Sequence, residues 1–563
     1  VEWEDGLRPG PVGAYVEVID IDPASDRAYA PVDLNAPELL AQDGLAPSDG
    51  SPQFHQQMAY AVAMRTIGHF KTALGRAPLW AELVEQTPQG LKHRFVRRLR
   101  IYPHALREPN AYYSPEKRAL LLGYFRALAP GATEVMRGGM IFTCLSHDIV
   151  AHETTHALLD GLHPRWKEPT NPDAPAFHEA FADMVALFQH FTMREALLSE
   201  IRQARGRLRF GPIMGKLARQ FGQAIGGRGA LRDAIGRPPS PTDYADASEP
   251  HALGEVLVAA VFDAWVQVYE DRTADLFRLA TGGTGVLPRG EIPHDLAGRL
   301  ADEAAKLAGH FLNICIRALD YCPPVDPTFG EYLRALITAD ADLVRDDPYG
   351  YRVALVDGFR RRGILPEGVQ TWSPDALIWQ RPDQPLTLSG MTTVLDGVGD
   401  KWDLASDRLA AWRASRANAR KLHAALTETA EAPSLWAALG LLAPHQEQSV
   451  DGGQGITGGI EVHSVRPTRR VGPDGQLGAA VVIELTQRWQ PKGDSEWYRG
   501  GCTIIWDRAE REVRYLIYKR VGHGERTARQ QAFRMAAGGS ASASYFRRDQ
   551  HAAEPFALMH SDH

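Results

Sequence analysis

From Phe54 to Leu74 apolar side chains recur at Met58, Val62, Ile67 and Phe70, close to the 3.6-residue period of a helix with one buried face. Phe95 to Ile101 alternates apolar residues with arginines and reads as a strand, and Ala119 to Phe125 is a second strand candidate. The pattern returns to helical at Ser146 to Leu159, where Ser146 or Asp148 suits the N-cap. Another helix opens at Asp173-Ala174-Pro175, with Asp173 as the expected cap and Phe177, Phe181, Val185 and Phe188 as its apolar stripe. Val256–Tyr269, Leu300–Leu319, Phe329–Ile337 and the basic stretch Ser406–Leu426 continue the helical series. After Gly452-Gly453 the period shortens. Ile460–Val465, Ala479–Leu485, Thr503–Ile505 and Val513–Tyr518 read as strands, with Pro473-Asp474-Gly475 turning between the first two. The strands are expected to present one face to a small core and the other to water.

Composition narrows the function classes. The 563 residues are 44% hydrophobic and 23% charged, as in folded soluble proteins. The net charge of −7 argues against a nucleic-acid binder that works by neutralising phosphates. The longest apolar stretch, Val256–Val266, is interrupted by Asp263 and falls short of the roughly 18 residues of a membrane span. The acidic start, Val1-Glu2-Trp3-Glu4-Asp5, lacks the basic and apolar regions of a signal peptide. Four cysteines are too few for a disulfide scaffold, and a cytoplasmic setting is expected.

The chemistry concentrates in His152-Glu153-Thr154-Thr155-His156, an HExxH motif within a predicted helix. Four residues make about one turn, so His152 and His156 project from one face and can hold one metal ion. Glu153, one position on, stands beside the metal and can accept a proton from activated water. A catalytic zinc takes three protein ligands and keeps a fourth position open. The next helix offers Glu179 as the third ligand, with Asp183 one turn on to accept a hydrogen bond from a ligating imidazole. HExxH alone arises by chance in roughly one chain in twenty-five of this length and histidine content, so the second helix carries much of the specificity.

Together these residues resemble the thermolysin-like zinc metallopeptidases, which belong to the gluzincins. Asn110-Ala111-Tyr112-Tyr113 resembles the family's edge strand, whose backbone pairs with extended substrate. Ala230-Leu231-Arg232 resembles the segment whose arginine holds a substrate carbonyl, and Asp246 with His251 the pair that stabilises the transition state. The resemblance also places Ile149 and Leu231 near the pocket for the residue after the scissile bond, and so implies an apolar preference there. The family's catalytic tyrosine is missing from Gly161–Lys167, where either His163, Arg165 or Lys167 replaces it or the second oxyanion donor is absent. A calcium site is doubtful: Asp148 matches one ligand, but His190 stands where an acidic one is expected.

The expected architecture is α+β: a thermolysin-like, two-lobed metallopeptidase with an additional antiparallel β domain. The N-terminal lobe covers residues 1–160 and ends in the zinc helix. A helical lobe follows at 161–365, a connector at 366–452, the β domain at 453–528 and a mobile tail at 529–563. The expected function is a zinc-dependent endopeptidase with one zinc per chain, on His152, His156 and Glu179. Its partners are a peptide or protein substrate and, through the β domain, another protein, but neither nucleic acid nor membrane. Two alternatives stand beside it: a peptide-binding module that retains zinc, and a processing protease specific for one partner.

Overall fold

The computed structural model describes residues 3–88, 90–126, 139–208, 237–382, 395–396, 407–428, 432–472, 475, 477–537 and 554–561. Among these, an N-terminal mixed β/α region, a large helical lobe and a C-terminal antiparallel sheet build an α+β architecture.

The N-terminal region is organised by strand β1 (Val16–Val18), helix α1 (Pro52–Leu74) and strands β2 (Leu99–Leu106), β3 (Ala111–Ser114), β4 (Ala119–Arg126) and β5 (Met140–Phe142). The sheet order is β1-β2-β4-β3, with β5 also on β4. Strand β3 pairs antiparallel with β4, Ala111 opposite Leu122 and Ser114 opposite Ala119, and lies at the edge. Gly123 makes this edge possible, since a Cβ there would sit 2.3 Å from the Asn110 carbonyl oxygen. Helix α1 begins where Ser51 Oγ accepts from the Phe54 amide and stops at Gly75 with φ 63°.

The expected strand at Phe95–Ile101 is displaced to Leu99–Leu106. Residues 95–98 serve other neighbours: the Arg97 carbonyl accepts from Arg408, and the Phe95 ring lies 6.0 Å from that of Trp412.

Helix α2 (His147–Leu162) carries the HExxH motif and is capped by Ser146, whose Oγ accepts from the Ile149 amide. Helix α3 (Asp173–Phe191) is buried along nearly its whole length. Its cap differs from expectation: Asn171 Oδ1 takes the Ala174 amide, while Asp173 accepts from Tyr244 OH and the Phe329 amide and so links helices across the lobe. Helices α4 (Pro250–Ala280) and α5 (His294–Ala318) pack against α3. Gly254 lets α4 approach: a Cβ there would be 3.1 Å from the Ala176 carbonyl oxygen. By length and composition α4 could cross a bilayer, but most of its apolar window is buried inside this lobe. The four cysteines are buried and none forms a disulfide.

The C-terminal sheet runs β6 (Glu447–Val450), β7 (Gly453–Val471), β8 (Leu477–Pro491), β9 (Tyr498–Asp507) and β10 (Glu512–Lys519), all antiparallel. The predicted alternation survives in β10, where Val513, Tyr515 and Ile517 are buried between more exposed neighbours, but the central strands β8 and β9 are covered on both faces. Val482, Ile505, Tyr515 and Ile517 join the main core, and Val481, Ile483, Leu485 and Trp506 form a second core with helix α8, where α6 (Phe329–Ala341) and α7 (Tyr351–Arg361) precede α8 (Arg408–Thr427) along the chain. Buried charges tie the sheet to the lobes. Arg466 donates to the Leu162 carbonyl at the end of α2 and pairs with Glu484 at 2.5 Å; Glu484 also meets His163 at 3.1 Å.

Two helices fall in or overlap the segment expected as a tail. Gly524–Ala537 is helix α9, and Pro555–Ser561 is helix α10, seated against β3.

Candidate metal centre

The i, i+4 spacing on α2 does what the motif predicts. His152 and His156 are fully buried, and their Nε2 atoms lie 2.9 Å apart. Glu179, from α3, reaches both: 3.4 Å from His152 Nε2 and 3.4 Å from His156 Nε2. On the far side of His152, Nδ1–H donates to Asp183 Oδ1 at 2.8 Å, which leaves Nε2 with its lone pair toward Glu179.

His156 is oriented by a residue to which the sequence assigned no role. Its Nδ1 lies 3.2 Å from Nδ1 of His178. Burial pushes the His178 pKa down to about 4, so its ring is neutral and can accept the proton of His156 Nδ1. That again turns Nε2 of His156 into the cluster. Burial works against a charge on His152, yet hydrogen bonds to Asp183 and Glu179 outweigh this and raise its pKa to about 10, so a metal ion binding at Nε2 would displace a proton held toward Glu179.

Glu153 sits beside the cluster, with Oε2 accepting from the Tyr113 amide of β3 at 2.8 Å. Burial raises its pKa above the usual carboxylate range, against the pull of His560 and His152. A carboxylate so placed, beside the ligand cluster, is within reach of a proton on a molecule bound there.

A fourth imidazole completes the group. His560, on α10, contributes a ligand atom to a buried set with His152, His156 and Glu179, all within 4.8 Å of one another. Its Nε2 is 3.4 Å from Glu179 Oε2. His560 was invisible to motif reading because 381 residues separate it from Glu179.

The donor set fits a divalent metal. Glu153, Glu179 and Asp183 are carboxylates buried together, and their described partners are imidazoles and one backbone amide. Three buried carboxylates are costly without compensating positive charge, and nitrogen with oxygen donors suits a borderline cation.

The remaining expected residues fall as follows. Asn110 and Ala111 lie at the start of β3, within reach of α10. Ile149 is buried on α2, one turn before His152. His251 lies in the first turn of α4, 3.9 Å from Glu179. Asp246 is exposed at the end of a short helix, and the described contacts of His251 run to Glu179 and Met559. Leu231 and Arg232 lie outside the described residues. The candidates for the missing tyrosine are each engaged elsewhere: His163 with Glu484, Arg165 with Glu168 and Glu461, and Lys167 with Asp160. At Asp148, the one calcium ligand the sequence offered, Oδ1 meets Nδ1 of His147 at 3.0 Å and of His190 at 3.2 Å, an imidazole environment unlike the oxygen cage calcium takes.

Comparison of the chain with protein-family models, with curated proteins and with solved structures finds no match.

Proposed function

We propose that this protein is a zinc-dependent endopeptidase of thermolysin-like mechanism. One observation carries the reading. Helix α10, Pro555–Ser561 of the same chain, packs against the edge strand beside the ligand cluster, and two polar groups expected to bind substrate meet its backbone carbonyls. Asn110 Nδ2 donates to the Ala557 carbonyl at 3.3 Å, and His251 Nε2 lies 3.3 Å from the Met559 carbonyl. A cleft that recognises peptide carbonyls next to a metal-ligating cluster and a buried carboxylate is equipped for peptide hydrolysis.

In this reading His152, His156 and Glu179 hold zinc, which supplies Lewis-acid activation of water and of the substrate carbonyl. Asn110 and Ala111 align the substrate along β3. Glu153 takes the proton of the attacking water and delivers it to the leaving amine. His251 donates to the developing oxyanion, a type of contact often worth about 3 kcal/mol, and the resemblance makes Asp246 its orienting partner. Arg232 holds a substrate carbonyl, and Ile149 with Leu231 favours an apolar residue after the scissile bond.

A second reading, a peptide-binding module that retains zinc, is favoured by the engagement of His163, Arg165 and Lys167 in ion pairs of their own, which leaves the second oxyanion donor unassigned. A processing protease directed to one partner remains the narrower form of the first. Turnover of casein by zinc-loaded His560→Ala protein, in which the segment lying over the cluster is loosened, tests the choice: peptide release requires an endopeptidase, and tight binding of peptides without release points to the module.

A further inference from the structure

We propose that His560 is a fourth ligand of the metal centre, and that the segment carrying it holds the centre closed and the cleft filled. The inference rests on reading the cluster as a metal site, and it concerns that site's regulation.

The geometry is specific. His560 Nδ1 is 2.8 Å from the Ala111 carbonyl oxygen, which can only accept, so Nδ1 carries a proton and the neutral ring keeps its lone pair on Nε2. Nε2 is the atom that faces Glu179. The edge strand thus sets in His560 the tautomer a metal ligand needs, as Asp183 does for His152.

The rest of the segment is anchored at several points. Phe556 is fully buried, with its ring 4.4 Å from that of His156 and 5.4 Å from that of His178. Ser114 Oγ donates to Glu554 at 2.8 Å, and Lys117 pairs with the same carboxylate. Asn110 and His251 hold the Ala557 and Met559 carbonyls. His560 Nδ1 also lies 3.4 Å from Glu153 Oε1, so the proposed base is covered as well. Three protein ligands leave a zinc ion open to water, whereas four close it in the manner of a structural site. The segment therefore occupies the groups proposed to recognise substrate and the coordination position proposed for water.

The test uses full-length protein and three readouts. In His560→Ala, zinc loss to a chelator is expected to quicken about tenfold or more. The visible spectrum of the cobalt-substituted protein is expected to change, because one nitrogen ligand is replaced by water. Hydrolysis of a quenched fluorescent peptide is expected to rise. Phe556→Ala, which frees the segment without altering a ligand, is expected to move all three the same way. Unchanged zinc-loss rates and cobalt spectra in both variants would overturn the fourth-ligand assignment. Faster metal loss with an altered spectrum but no hydrolysis would uphold it and refute the peptidase reading instead.

A different cluster independently carries a second inference. We infer that His55, His104 and Cys144 form another metal site, of zinc or cuprous-copper type. All three are buried, and their ligand atoms lie within 4.8 Å of one another. His55 Nε2 is 3.1 Å from the Asp49 carbonyl, and His104 Nδ1 is 2.6 Å from Asp20 Oδ1, a carboxylate itself held by Gln56. Each ring spends one N–H on these acceptors. The other two nitrogens, His55 Nδ1 and His104 Nε2, then face each other at 2.8 Å, so either a shared proton or a metal ion must hold them together. Two imidazoles and a thiol suit a borderline or soft metal. The site would join α1, β2 and the short 3₁₀ turn Thr143–Leu145 just before α2, and so pin the start of the HExxH helix. Mass-spectrometric metal analysis of protein purified without added metal is expected to give about two equivalents per chain, and about one after either Cys144→Ser or His156→Ala. One equivalent in the unmodified protein, unaffected by Cys144→Ser, would mean the two imidazoles merely share a proton, and the site would be withdrawn.

Discussion

Asp183 Oδ1 lies 2.8 Å from Nδ1 of His152, on the side of the ring turned away from the ligand cluster. The bond fixes which nitrogen faces Glu179, and its charge makes the imidazole a stronger donor. Asp183→Asn keeps the shape and loses the charge. Metal affinity is expected to fall about 10–100-fold, measured by competition with a chromophoric chelator. An unchanged affinity would show that the carboxylate is a structural partner only.

His251 is placed to act on substrate and not on the metal. In protein already opened by His560→Ala, the further change His251→Ala is expected to lower kcat by about 10²–10³-fold with metal content unchanged. Loss of metal in that variant would move His251 into the coordination sphere.

Glu484 supplies a pH prediction far from the centre. Burial alone would raise its pKa, but Arg466 and His163 outweigh burial and lower it to about 2. A depressed carboxylate pKa stabilises the folded state above the unfolded value of about 4.3 and loses that contribution as pH falls toward 2. Thermal melts of Glu484→Gln are therefore expected to lie below those of the unmodified protein at neutral pH and to converge with them in acid. At pH 7 the deficit is expected to be about 3–5 kcal/mol, since Arg466 would remain buried without its partner.

Residues 453–537 are expected not to be dispensable. Val482, Ile505, Tyr515 and Ile517 lie in the main core, and Arg466 holds the last turn of α2 through the Leu162 carbonyl. Deleting the sheet uncovers that core, so the truncated chain is expected to be insoluble or to melt without cooperativity. A soluble, metal-loaded product would show that the lobes fold alone.

What the sequence displayed well was local. The turn-long spacing of His152 and His156, the Glu179–Asp183 pair and the Ser146 cap are set by helix geometry, and all recur in the structure. Contacts between distant segments were hidden. Ala111 and His560 are separated by 449 positions, and no periodicity connects them. The second histidine pair was hidden for the same reason, since His55 and His104 are 49 apart on a helix and a strand. The alternation in β8 was read as one wet face, but a consecutive buried run from Val481 to Gln487 marks a strand covered on both sides. His178 was legible as a neighbour of Glu179, yet only the fold shows its Nδ1 meeting His156.

In the proposed mechanism Glu153 performs proton transfer in metal-dependent peptide hydrolysis. The most direct measurement compares cleavage of a quenched peptide by His560→Ala with that by His560→Ala/Glu153→Gln, at equal zinc content. Gln fills the same space but cannot accept the proton, so the rate is expected to fall by about 10²–10⁴-fold while zinc and melting temperature hold. Equal rates in the two proteins would show that Glu153 is not the base, and no cleavage by either with zinc bound would show that the centre does not hydrolyse peptides.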